Sequence, residues 1–78
     1  MRQLHSLARL RAADRDILVR ALDRLPPEQR AVLRLRFIEE RGLADTAGAL
    51  GTTESEVKRL QARALVALRR ELENEPPR

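Results

Sequence analysis

The chain contains no cysteine, no tryptophan and no tyrosine, one histidine, three glycines and a single phenylalanine, Phe37. Without thiols there is neither a disulfide framework nor a thiolate metal site, and nothing opposes a reducing cytoplasm as its location. No apolar run approaches the length of a membrane span, and the basic start "MRQLHSLARLRAADR" lacks the hydrophobic stretch of a signal peptide. A soluble cytoplasmic protein without membrane insertion is therefore expected. His5 lies in a polar lead-in and no nucleophile has a base nearby. The carboxylate pairs Glu39/Glu40 and Glu71/Glu73 belong to helix ends, and no glycine-rich phosphate loop occurs. No catalytic residue, metal ligand or cofactor is expected, so the chain is read as a non-enzyme.

What is present is leucine, alanine, valine, isoleucine and charge. Leucine and alanine favour helix intrinsically, nothing in the chain resembles a strand, and 78 residues suffice for one small domain only. The net charge is +4, and fifteen of the sixteen basic residues are arginine. Arginine suits bidentate contact with phosphates and guanine edges, so the composition leans toward nucleic acid. Charges of both signs alternate along the chain, a pattern that solvated helices also show.

In "RQLHSLARLRA" Leu4, Leu7, Ala8 and Leu10 recur at helical spacing and predict a short helix or lead-in over residues 1–13. Asp14 is placed to cap "RDILVRALDRL", where Leu18, Ala21, Leu22 and Leu25 form one apolar face. Pro26 stops that helix and Pro27 suits the first turn of the next. In "PEQRAVLRLRFIEE", Val32, Leu35 and Ile38 lie on one side and Leu33 and Phe37 on another, an arc wide enough for two packing partners. The short "LADTAGAL" needs tertiary contacts to persist, and Gly51 is its stop. Thr52 or Thr53 can cap the last helix, whose stripe is Val57, Leu60, Ala64, Leu65, Leu68 and Leu72, and Pro76 and Pro77 end it. The predicted architecture is all-α: a four-helix domain over residues 14–73 containing a helix-turn-helix, preceded by the lead-in or an extra N-terminal helix and followed by a tail over residues 74–78.

Counting Leu43 as the first position of a helix-turn-helix, Ala47 falls fifth, Gly51 ninth, Val57 fifteenth and Leu60 eighteenth. Ala47 is small where the helices cross, Gly51 permits a left-handed turn, and Val57 and Leu60 turn inward. The outward side chains are then Thr53, Glu54, Ser55, Lys58, Arg59 and Ala62, with Arg63 at the edge. Such a face fits a major groove. Lys58 and Arg59 can bond phosphate or guanine, Ser55 phosphate or a base, Ala62 a thymine methyl, and Arg63 the backbone. Glu54 and Glu56 favour the positive helix end; Thr53 with Glu56 has the spacing of a capping box, and Glu54 can accept from a cytosine amino group. A helical hairpin with a merely solvated charged face remains the alternative.

Together, "LPPEQR", "LRLRF", "DTA" and the "VK…RAL" pattern resemble region 4 of bacterial sigma factors of the extracytoplasmic-function type, over roughly residues 18–72. The resemblance implies recognition of the minus-35 promoter element, docking on the beta flap of RNA polymerase, and in many members an anti-sigma factor. The apolar faces of the first two helices, with Leu18, Leu22, Leu33 and Phe37, are the expected partner surface. Nothing resembles the promoter-melting region that precedes region 4 in a complete factor, so a fragment is expected.

The chain also departs from the family pattern. Glu40, Arg41 and Gly42 stand where members commonly have Gly-Leu-Ser, Thr52 replaces an aliphatic residue, and Leu60-Gln61 replaces arginine followed by an aliphatic. A rotated or differently packed recognition helix is expected from this. Two other readings stand beside the first. One is a LuxR-type effector domain, with a similar four-helix layout; the other is a protein-interaction module whose apolar arc receives a partner helix.

Overall fold

The computed structural model describes residues 11–74, so the helix or lead-in expected over residues 1–10, with His5, and the stop expected at Pro76 and Pro77 lie outside the described residues. Four helices follow one another: α1 (Ala12–Asp23), α2 (Pro27–Leu33, continued without a break by a π-helical turn over Arg34–Ile38), α3 (Leu43–Leu50) and α4 (Glu54–Glu73). The all-α expectation holds, and among the described residues there is no strand. No helix among them is long and apolar enough to cross a membrane.

Helix α1 starts earlier than expected. Arg11 is its N-cap residue and Asp14 sits in the first turn, where its carboxylate complements the helix dipole instead of capping. The two prolines act as anticipated: Arg24 and Leu25 N–H groups tighten back onto the carbonyls of Ala21 and Leu22, Pro26 is the extended N-cap residue of α2, and Pro27 opens it. Arg30 Nη1 reaches back to donate to the Asp23 carbonyl at 3.3 Å. The arginine of "LPPEQR" thus satisfies an orphan carbonyl at the end of α1, where positive charge is also favoured.

The π turn is the second departure. The Glu39 N–H donates to the Arg34 carbonyl at 2.9 Å, a five-residue step, and the wider turn shifts the register of the helix face. Phe37 is carried against the core, whereas Ile38, expected to share a side with Val32 and Leu35, is 44% exposed. The helix ends at Ile38 with Glu39 as its C-cap, and the next residue, Glu40, has φ +56°, while the Arg41 N–H closes on the Leu35 carbonyl. This is the position where the family commonly has glycine. A side chain in left-handed geometry costs about 1–2 kcal/mol, partly offset by the greater chain entropy of glycine when unfolded. Glu40→Gly is accordingly expected to stabilise the domain by about 0.5–1 kcal/mol, read as a rise of a few degrees in Tm.

The core is small. Leu22, Leu25, Val32, Leu33, Ala47, Val57 and Ala64 are buried, with Phe37, Leu43, Leu50, Leu60, Leu65, Ala67 and Leu68 packed around them. Helix α4 runs along the whole assembly and packs on α2, α3 and α1, most extensively on α2. Short α3, which has no side-chain cap at Gly42, is held by α4 and the π turn. Thr46 on α3 is fully buried, and its hydroxyl has no hydrogen-bond partner among the described residues. Burying such a group costs about 1–3 kcal/mol, so Thr46→Val, which keeps the branched shape, is expected to raise stability by about 1 kcal/mol. A shifted urea midpoint at unchanged m-value is the check.

Candidate nucleic-acid interface

The turn between α3 and α4 is built on Gly51, at φ +68° and ψ +38°. Its own N–H donates to the Gly48 carbonyl at 3.2 Å and the Thr52 N–H to the Ala47 carbonyl at 2.9 Å, the paired closure of a Schellman motif. Two residues later Thr53 takes the N-cap of α4, its hydroxyl accepting from the Glu56 N–H at 3.1 Å. Only this half of the expected capping box is made; the Glu56 carboxylate lies 3.9 Å from Arg59 Nε, a loose exposed pair. The two tight turns fix the crossing of α3 and α4, and Ala47 is buried between them.

Burial along α4 then sorts its faces. Val57 and Ala64 have no exposed surface and Leu60 is half-buried against the core. Thr53, Glu54, Ser55, Lys58, Arg59, Ala62 and Arg63 are all exposed. The seven residues singled out from the sequence thus lie together on the first three turns of α4, presenting three cations and, with Glu54 at the tip, one carboxylate. No group here has a side chain withdrawn into the core. The face is a rigid helical surface able to offer charge-assisted hydrogen bonds to phosphates and base edges.

Sequence reasoning missed what braces this face. Arg36, on the π turn, donates through Nε to Gln61 Oε1 at 2.8 Å and through Nη1 to the Arg41 carbonyl at 2.8 Å. Arg41 in turn donates to Glu39 Oε1 at 2.9 Å. The one available signal was Gln61 itself, a polar residue where the family pattern has an aliphatic one; its partner, 25 residues away, is visible only in the fold.

A second surface lies along the C-terminal half of α4. Leu18, Leu22, Leu33 and Phe37, the four residues expected on a partner surface, line one apolar groove of about 400 Å³. The other wall, unforeseen, is α4: Leu65, Val66, Leu68, Arg69 and Leu72. Leu22 and Leu33 form its floor and are almost fully buried, while Val66 is 59% and Leu72 36% exposed. Among the described residues no cluster of histidine, cysteine and carboxylate side chains suits a metal ion.

Comparison with known proteins agrees with this geometry. Residues 21–70 match the family described as "Sigma-70, region 4". The chain is 46% identical over 61 residues to an RNA polymerase sigma-E factor of Streptomyces antibioticus, covering 78% of this chain and 34% of that one. It is 45% identical over 62 residues to the sigma-E factor of Streptomyces avermitilis, covering 80% and 35%. To the ECF RNA polymerase sigma factor SigX of Bacillus subtilis it is 47% identical over 53 residues, covering 68% and 27%. The chain therefore spans about a third of the length of these curated relatives. No solved structure matches it. With its helix-turn-helix, its capped fourth helix and these relatives, the chain belongs to the sigma-70 region 4 family, among the sigma factors of the extracytoplasmic-function type.

Proposed function

We propose that this chain is a promoter-recognition adaptor. The outer face of α4 enters the major groove of a minus-35 element, with Lys58 and Arg59 on phosphate or guanine, Ser55 on phosphate or a base, Glu54 on cytosine, Ala62 against a thymine methyl, and Thr53 and Arg63 at the flanks. The four helices α1 to α4, over residues 12–73, form the working domain. The observation that carries the reading is the division of α4: Val57 and Ala64 wholly buried, the seven proposed contact residues exposed. The sigma-factor relatives support it. The region 4 match over residues 21–70 favours this reading over a LuxR-type effector.

The apolar groove supports the other half of the adaptor. Its apolar lining suits the apolar face of a partner helix, and we assign the beta flap of RNA polymerase as its first occupant and an anti-sigma factor as the competitor, a reading that region 4 membership supports. The protein-interaction reading is thereby a second face of the same molecule. Catalysis belongs to the polymerase.

Titration with a duplex carrying the preferred minus-35 element, in rising salt, tests the DNA half. With Lys58, Arg59 and Arg63 as the phosphate grip, log K is expected to fall against log salt with a slope of about −3. Binding indifferent to salt overturns the assignment.

A further inference from the structure

We infer that Arg36 and Gln61 together are the positioning residues of the helix-turn-helix, one guanidinium holding both the recognition helix α4 and the loop that leads into α3. The inference rests on the promoter-recognition reading for its functional consequence, not for its geometry. Arg36 Nε donates to Gln61 Oε1 on α4, and Arg36 Nη1 donates to the Arg41 carbonyl in the connection to α3, both at 2.8 Å. The two bonds leave the same planar fork, so the angle between their directions is set by the guanidinium itself, which lysine could not reproduce.

The need for such a clamp follows from the residues around it. Glu40 occupies a left-handed position without being glycine, the exposed Arg41 offers no apolar anchor, and Gly42 gives α3 an N-terminus without a side-chain cap. The chain path into α3 is therefore weakly specified by its own residues. On the other side, Gln61 lies on α4 between the buried stripe and the exposed face, three residues after Lys58 and next to Ala62. Arg36 is half-buried between these two elements and lies in the π turn, where the helix register is already shifted. Fixing Gln61 Oε1 fixes the rotation of α4 at the level of Lys58 and Ala62. An aliphatic residue at 61 would keep the packing and lose this anchor.

The test uses the 78-residue chain with Gln61→Leu, Arg36→Gln and the double variant. In the free parent protein, the Arg36 Nε–H is expected as a resolved NMR resonance in slow exchange, lost in Gln61→Leu; a parent Nε–H exchanging as fast as those of exposed arginines overturns the clamp, whatever the DNA result. Each protein is then used to select from a randomised duplex library. Both single variants are expected to remain helical, to bind the parent's preferred duplex about ten-fold more weakly, and to select a broadened base profile at the positions nearest Ala62. The double variant is expected to be no weaker than either single one, because both remove the same interaction. Variants that keep the parent's affinity and profile overturn the positioning role. A parent protein that selects no sequence at all, with the Nε–H still protected, defeats the promoter reading and leaves the clamp standing.

Discussion

Replacing Lys58 and Arg59 together by alanine is expected to weaken binding to the preferred minus-35 duplex by at least about a hundred-fold. Both side chains are exposed on the face opposite Val57 and Ala64, and neither packs in the core. Arg59 has only a 3.9 Å contact with Glu56, on exposed side chains, so little folded-state stabilisation is lost with it. Each good contact to a base or phosphate contributes about 1–3 kcal/mol, and two removed phosphate contacts lower the salt slope by about 2. Alanine is moreover a good helix former. The double variant should therefore retain parental helicity and Tm, and a protein of that kind that still binds the duplex as tightly as the parent would show that α4 does not read the promoter. The pairing of an intact fold with a shallower salt slope separates loss of contact from loss of structure.

Leu33→Ala is expected to destabilise the domain by about 3 kcal/mol, enough to leave a substantial unfolded fraction. Leu33 is 2% exposed and is the largest of the deeply buried side chains. Truncating a buried leucine removes its transfer free energy and leaves a cavity, together about 2–5 kcal/mol, whereas a domain of this size holds only about 5 kcal/mol in total. Urea unfolding followed by circular dichroism measures the loss. A cost within about 0.5 kcal/mol would contradict the packing described here. The consequence for partner studies is direct. Leu22 and Leu33 line the groove from beneath, so their variants report on folding; the rim residue Val66 is the proper probe. Val66→Ser should leave stability nearly unchanged while weakening capture of a beta-flap peptide.

The local features were legible because they depend on near neighbours in sequence. Pro26 and Pro27 divide α1 from α2, Gly51 adopts the left-handed turn and Thr53 caps α4, as the residue types require. The outward face of α4 followed from helical period alone once Val57 and Leu60 were taken as inward. Errors arose where a local signal had an alternative. Asp14 is acceptable both as a cap and in a first turn, and the helix starts at Ala12 because three further residues can propagate it. No residue in "RLRFI" announces a π turn, and Ile38 was therefore placed on the wrong side.

By itself, the sequence determined the helical class, the division into elements, the resemblance to region 4 and the set of side chains on the outer face of α4. Each follows from backbone preference or from a period of 3.6 residues, both local properties. Tertiary structure alone decided the rest. It brought the C-terminal half of α4 across to complete the apolar groove, joined Arg36 to Gln61 over 25 residues, and enclosed the Thr46 hydroxyl without a partner among the described residues. These depend on how the helices cross, which is set by the packing of all the core side chains at once and is not carried by any single stretch of chain.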